Sequence, residues 1–371
     1  MAGHCGQDMT GRTIYLDNQA TTPLAPEARA AMEPWLAGPE APGFANPHSP
    51  HKAGRAAAAA IEVAREQVAG LLPPGGRVVF TAGATEAINQ AILSVPRGSV
   101  AASAIEHAAV IESARASGAP LHLLPVGPDG LLDPQAEIPA GTGLLAVMQV
   151  NNEIGTIQPV AQLADRARAQ GALVLCDAVQ GAGKLDPPEG ADLIALSAHK
   201  LYGPKGIGAL WVRDGVAIAP LIHGGGQEGG LRSGTLSPAL CAGFGAAAAL
   251  AKARMEEDRA HLGQLFALMC ERLARWTLNG SANLRWPGNV NLRLEGLDAG
   301  RLISELRGLA FSAGSACGSG SGKPSHVLKA IGLSDAEAKG SIRLGLGRYT
   351  THQDVEDACA MIEAAAAAQG A

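Results

Sequence analysis

The chain has 371 residues, of which 47% are hydrophobic, and a formal net charge of −5 at pH 7. A chain of this length is expected to form two domains, each with a core of its own. The acidic balance and the lack of Lys/Arg runs argue against direct binding to nucleic acid and favour small metabolites as partners.

The N-terminal residues and the cysteines indicate a cellular compartment. No basic and apolar signal sequence opens the chain, and the alanine-rich stretches are too short or too charged to cross a membrane. The 6 cysteines are scattered and include no Cys-x-x-Cys pair. This argues against a metal site and against a disulfide framework, and it predicts a protein of the reducing cytoplasm.

Apolar runs typical of buried strands alternate with helical stretches through the first two thirds of the chain. The predicted strands are 78–80, 100–102, 121–124, 144–150, 172–176, 193–196 and 207–212. The predicted helices are 26–36, 55–72, 85–93, 107–116 and 160–170. Such alternation predicts an α/β fold with a mostly parallel seven-stranded sheet that is covered on both faces.

The last third of the chain has a different pattern. Two helices are predicted there, an alanine-rich one over 238–254 and a second over 259–275, followed by strands at 290–294 and 341–344. We expect a large domain over 13–256. The smaller α+β domain would combine 1–12 with 257–371.

A lysine follows one of the buried strands directly. Leu193–Leu196 is succeeded by Ser197, His199 and Lys200. Ligands of open α/β sheets bind at the carboxyl ends of strands. A lysine with its free pKa of about 10.4 is a poor nucleophile, but desolvation and cationic neighbours activate it for Schiff-base formation. A single lysine is more often a surface residue, so its neighbours decide the interpretation.

Four other strand ends carry polar groups. Gly83 and Thr85 lie where a strand meets a helix and suit the binding of a phosphate. Asp177 suits pairing with a protonated ring nitrogen, and His107 suits stacking on a flat ring. Residues 149–155 supply amides. Each has a simpler explanation, such as a helix cap or a loop hydrogen bond. Together with the lysine they match the requirements of pyridoxal phosphate.

Two glycine-rich segments need separate interpretation. Residues 312–322 contain only Gly, Ser, Ala and Cys, a composition typical of a flexible segment, so Cys317 is predicted to be a movable, exposed thiol. Beside an electrophilic cofactor such a thiol suggests covalent sulfur chemistry, although an incidental linker cysteine is the alternative. Gly181–Leu185 is similar to the end of a P-loop but lacks its Ser/Thr and first glycine, and is predicted to be a plain loop.

The sequence resembles the class V aminotransferase family of pyridoxal-phosphate enzymes and, within it, the NifS/IscS-like (group I) cysteine desulfurases. The resemblance extends almost from end to end. It rests on residues 15–23, 46–55, 81–86, 150–155, 177–180, 197–204, 224–228, 232–235, 315–317 and 341–348. It implies the type I fold of pyridoxal-phosphate-dependent transferases.

The resemblance also implies a role for each matching residue. Lys200 would hold the cofactor covalently and move the substrate Cα proton, and Cys317 would attack the substrate sulfur as a thiolate. Because a free thiol has a pKa of about 8.5, we predict that a nearby base assists Cys317, with His107 as the candidate. The other cofactor-binding residues would be Ala84, Thr85, His107, Asp177, Gln180, Ser197, His199 and, across a homodimer, Thr235. Asn152 and Arg343 would bind the substrate carboxylate, the arginine as a bidentate fork.

The implied reaction converts L-cysteine to L-alanine and leaves a persulfide on Cys317. A sulfur-acceptor protein would then receive the sulfur for iron–sulfur cluster assembly or for thiolation of tRNA or a cofactor. Such enzymes often have a longer tail that docks an iron–sulfur scaffold, whereas this chain ends at Ala371, so scaffold docking stays open. The alternatives are a selenocysteine lyase, another class V aminotransferase-like enzyme, or a non-catalytic sulfur-trafficking partner.

Overall fold

A computed structural model describes residues 12–36, 38, 42–94, 98–313 and 324–371. Its strands are β1 (Ile14–Tyr15), β2 (Gly76–Thr81), β3 (Ser99–Ser103), β4 (Leu121–Leu124), β5 (Thr142–Met148), β6 (Leu173–Asp177), β7 (Leu193–Ser197), β8 (Gly208–Arg213), β9 (Thr277–Leu278), β10 (Asn289–Arg293), β11 (Leu309–Ala310) and β12 (Ser341–Gly345). Its α-helices are α1 (Pro26–Met32), α2 (Lys52–Ala69), α3 (Ala84–Ser94), α4 (Ala108–Ala116), α5 (Val160–Ala169), α6 (Pro238–Arg272), α7 (Ala299–Glu305), α8 (His326–Ala330), α9 (Asp335–Lys339) and α10 (His352–Gln369). Among these helices none is long and apolar enough to pass through a membrane.

The large sheet has seven strands in the order β2-β8-β7-β6-β5-β3-β4. Strand β8 runs antiparallel to both of its neighbours, and the other pairs are parallel. Hydrophobic clusters lie on both faces, because the central strands are apolar on both sides and helices cover them. The predicted α/β fold with a mostly parallel seven-stranded sheet is therefore confirmed, and the carboxyl ends of β2, β3, β5, β6 and β7 share one edge.

A three-stranded antiparallel sheet, β12-β10-β9, forms the centre of the C-terminal part. Its cluster of buried side chains also includes Leu16 from the start of the chain. Strand β1 pairs in parallel with β11, so residues 14–15 hydrogen-bond to the part of the chain assigned to the smaller domain. We propose the two-domain division with its N-terminal boundary moved from residue 13 to beyond Leu16, because β1 and Leu16 pack with the smaller domain.

Helix α6 differs from the prediction of two helices. It is continuous over 35 residues. The polar stretch around residues 255–258 suggested a break, but Arg254 forms ion pairs with Glu257 at 2.7 Å and with Asp258 at 3.5 Å, the (i, i+3) and (i, i+4) contacts that support a helix. The first half of α6 packs into a large-sheet cluster and the second half into the small-sheet cluster. We therefore propose that the domain boundary lies within one helix.

Candidate active site

The shared edge of the large sheet opens into a cavity of about 760 Å³. Ten of the predicted site residues line it: Ala84, Thr85, His107, Asn152, Asp177, Gln180, Ser197, His199, Lys200 and Arg343. Thr235 is exposed and does not belong to this lining. Cys317 lies outside the described residues, between the segments that end at Ala313 and resume at Pro324.

Lys200 ends a short 3₁₀ turn, Ala198–Lys200, that follows β7 directly. The strand therefore fixes where the lysine stem leaves the sheet. The Nζ of Lys200 donates hydrogen bonds to the carbonyl oxygens of Gln19 (2.6 Å) and Ala20 (2.8 Å). These two residues belong to a motif used for the resemblance, but sequence reasoning assigned them no role. They hold the amine at the wall of the cavity.

Asp177 is the last residue of β6 and its side chain is buried. Its Oδ1 accepts the backbone N–H of Val179 at 3.0 Å. Burial raises the pKa of Asp177, while His107, the Val179 N–H and Lys200 act in the opposite direction. A buried carboxylate is costly without a cationic partner, so this position suits a protonated ring nitrogen.

Another part of the cavity wall is formed by the N-terminus of α3. Gly208 of β8 permits a close approach here, since a Cβ at that position would stand 2.7 Å from the Cα of Gly83. The backbone N–H groups at a helix start and the hydroxyl of Thr85 suit an anion. His199 contacts the Thr21 hydroxyl through Nδ1 at 3.1 Å. Burial, and then nearby Lys200 and other lysines, lowers the pKa of His199 to about 4, so its ring is neutral at pH 7.

His107 caps helix α4. Its Nδ1 accepts the backbone N–H of Ala109 at 3.1 Å. A neutral ring that accepts at Nδ1 carries its proton on Nε2. The role of His107 as a base toward Cys317 stays a prediction, because Cys317 lies outside the described residues.

Arg343 lies on β12 and is only 1% exposed. Its Nη2 forms an ion pair with Oδ1 of Asp17 at 2.8 Å, and its Nη1 donates to the carbonyl oxygen of Asn152 at 3.2 Å. Asp17 also accepts the hydroxyl of Ser312 at 2.9 Å. A guanidinium has five N–H donors, so these contacts leave Arg343 able to bind a substrate carboxylate as well.

The segment that resumes at Pro324 is attached to the cavity wall by contacts that sequence reasoning missed. The hydroxyl of Ser325 donates to Oε2 of Glu153 at 2.5 Å, and Nε2 of His326 donates to the carbonyl oxygen of Glu106 at 2.9 Å. Glu153 is buried, which raises its pKa, whereas Ser325, His326, Arg343 and His107 act against that rise. These contacts fix one end of the segment that carries Cys317 in the sequence.

Comparisons with known proteins agree with this geometry. The model of the family described as "Aminotransferase class-V" matches residues 14–357. A "Cysteine desulfurase IscS" of Rickettsia rickettsii (strain Iowa) is 40% identical over 94% of this chain and 90% of the relative. The chain belongs to the cysteine desulfurases of the class V aminotransferase family. The resemblance stated from sequence is thus confirmed.

Two solved structures extend the agreement to the fold. A "NIFS-LIKE PROTEIN" has a TM-score of 0.86 at 30% identity and covers 95% of this chain and 99% of its own. A structure described as "SspA in complex with cysteine" has a TM-score of 0.79 at 34% identity and covers 91% and 99% respectively. Both support the assignment of this desulfurase to the type I transferase fold.

Members of this family use pyridoxal phosphate, and the cavity fits that group. It offers an amine in Lys200, a buried acid in Asp177 and a helix N-terminus at α3, and its volume of about 760 Å³ is of the size expected for a cofactor with its substrate. The raised pKa of Asp177 indicates a carboxyl that a cationic ring nitrogen would stabilise in its charged form.

Proposed function

We propose that this protein converts L-cysteine to L-alanine with pyridoxal phosphate and takes the sulfur as a persulfide on Cys317. The observation that carries the proposal is that Lys200, Asp177 and Arg343 line one cavity. Ser325, which follows the Cys317 segment in the sequence, lines the same cavity. A relative whose structure is described as a complex with cysteine supports that substrate.

The residues divide the work between cofactor and substrate. Asp177 and Gln180 would hold the ring, while Ala84, Thr85, Ser197 and His199 would hold the phosphate. When bound, pyridoxal phosphate supplies an electron sink for charge that develops at the substrate Cα. Arg343 binds the substrate carboxylate together with the amide of Asn152, and Lys200 moves the Cα proton through its Nζ.

The sulfur step rests on Cys317 and His107. The thiolate of Cys317 attacks the substrate sulfur, the Cβ–S bond breaks and its electron pair stays with the three-carbon fragment. We propose that the fragment receives its proton from Lys200, which carries the proton taken from the substrate Cα, and that His107 is the base that accepts the thiol proton of Cys317.

The later steps involve other chains. We propose a homodimer in which Thr235, exposed on one subunit, reaches the phosphate of the other. We further propose a cytoplasmic location and transfer of the persulfide sulfur to an acceptor protein, for iron–sulfur cluster assembly or for thiolation of tRNA or a cofactor.

Two variants test the proposal. Lys200→Ala should lose the visible absorption of covalently bound cofactor and all alanine formation. Cys317→Ala should keep that absorption and its change on adding L-cysteine, but form no alanine. Alanine production by Cys317→Ala at the wild-type rate would overturn the role of Cys317 and favour another class V reaction.

A further inference from the structure

The turn after Asp177, for which the sequence predicted only a plain loop, brings Lys184 into contact with the active-site residue Gln180. Gly183 has a φ of +70°, and a Cβ there would stand 2.7 Å from Cβ of Ala251 on α6. Only glycine fits this combination of backbone and space. The turn closes with the N–H of Lys184 donating to the carbonyl of Gly181 at 3.0 Å.

The side chain of Lys184 contacts a residue of the cofactor cavity. Its Nζ donates to Oε1 of Gln180 at 3.2 Å. On the other side of the same amide, Nε2 of Gln180 donates to the carbonyl oxygen of Gln19 at 2.9 Å. Because Lys184 in its charged form only donates hydrogen bonds, rotation of the amide by a half-turn would then place donor against donor. Lys184 therefore fixes which end of the Gln180 amide faces which neighbour.

The same contacts link Lys184 to Lys200. The carbonyl oxygen of Gln19 accepts both Nε2 of Gln180 and Nζ of Lys200, the latter at 2.6 Å. Burial and the charge of Lys200 lower the pKa of Lys184 to about 7. Lys184 is also among the lysines that lower the pKa of His199. It thus belongs to the electrostatic surroundings of the reactive amine without lining the main cavity.

We propose that Lys184 is a positioning residue, which holds the Gln180 amide by its oxygen so that the amide nitrogen is presented to Gln19 and to the cofactor. One N–H of that nitrogen is used by Gln19, and the second is left for an oxygen of the cofactor ring. This inference rests on the proposed function, because it takes Gln180 as a donor to bound pyridoxal phosphate.

A double-mutant cycle on the holoenzyme tests the inference. The variants are Lys184→Met, Lys184→Gln, Gln180→Ala and the double variant Lys184→Met/Gln180→Ala. The readouts are the dissociation constant of pyridoxal phosphate and the wavelength of its visible absorption maximum. We expect Lys184→Met to raise the dissociation constant about tenfold, the effect of losing one well-placed hydrogen bond, and to shift the absorption. Lys184→Gln keeps an N–H donor and should restore most of the affinity.

Comparing the effect of Lys184→Met in the wild type with its effect in Gln180→Ala distinguishes a positioning role from a general structural role. In Gln180→Ala the further change Lys184→Met should alter the dissociation constant by no more than about twofold, because the two residues act through one contact. An equal effect of Lys184→Met in both backgrounds, or no effect in either, would overturn the inference. If Lys184→Met lowers the melting temperature, the test rests on Lys184→Gln alone. An affinity of Lys184→Gln for pyridoxal phosphate as low as that of Gln180→Ala would then also overturn the inference. Failure of the wild type to bind pyridoxal phosphate would instead refute the proposed function.

Discussion

Replacing Arg343 by lysine separates charge from shape at the proposed carboxylate site. The guanidinium is 1% exposed and already contacts Asp17 and the carbonyl of Asn152. Lysine keeps the positive charge, which Asp17 needs, but presents a point charge in place of a planar fork. The variant should therefore fold while it loses one of two parallel hydrogen bonds to the substrate carboxylate.

The size of the effect follows from that single lost contact. A hydrogen bond to a charged group contributes about 1.5–3 kcal/mol. Since 1.36 kcal/mol corresponds to a factor of ten, the half-saturating L-cysteine concentration of Arg343→Lys should rise about 10- to 150-fold. The assay is a titration with L-cysteine that follows the visible absorption of the bound cofactor, with the melting temperature recorded beside it.

Asp17→Asn is the matched control for this titration. It removes the competing carboxylate but retains an oxygen that can accept from Arg343 and from Ser312. L-Cysteine should bind to this variant as well as to the wild type or more tightly. An unchanged half-saturating concentration of L-cysteine in Arg343→Lys would refute carboxylate recognition by Arg343. If Asp17→Asn weakens L-cysteine binding equally, both residues maintain the structure of the cavity wall and do not recognise the substrate.

Three further predictions concern stability. Ser325→Ala removes the hydroxyl that donates to the buried Glu153 and should lower the free energy of unfolding by about 1–3 kcal/mol in urea titrations; an unchanged midpoint would contradict the contact. Glu228→Gln weakens the pair that joins the buried Glu228 to Arg65 at 2.6 Å and should cost on the order of 3 kcal/mol in the same assay, a loss well under 1 kcal/mol being the contrary result. In cofactor-free protein the pKa of His199 lies near 4, below its usual 6.5. As the pH drops, His199 is therefore protonated in the unfolded chain before it is protonated in the folded chain. Stability should therefore fall as pH drops from about 6.5 to about 4, and thermal melts of His199→Asn should show a smaller fall if this is correct.

The strands and the cavity residues at strand ends were predictable because their signals are local, whereas Arg343 was assigned only from the family resemblance. Buried strands such as β7 are continuous apolar runs, and Lys200 and Asp177 stand at the ends of such runs. The carboxyl ends of parallel strands meet at one edge, so the cavity followed from the order of elements. Helix α6 was divided wrongly because a charged stretch resembles a linker until its ion pairs are known.

The supporting residues were not predictable, since their contacts join distant parts of the chain. Lys200 and Gln19 are 181 positions apart, and Ser325 and Glu153 are 172 apart. No local periodicity indicates which carbonyl or carboxyl a side chain reaches across such a separation. The cap at His107 is local by contrast, and a histidine directly before a helix could have indicated that its ring nitrogen accepts from the backbone.

The central claim is that Cys317 receives sulfur from L-cysteine in this cavity. The most direct measurement is a single-turnover incubation of the pyridoxal-phosphate-loaded protein with L-cysteine, which follows alanine by amino-acid analysis and protein-bound sulfur by intact mass and peptide mapping. We expect one added sulfur atom on Cys317 and an equal amount of alanine. Alanine without sulfur on Cys317, or sulfur on another cysteine, would contradict it.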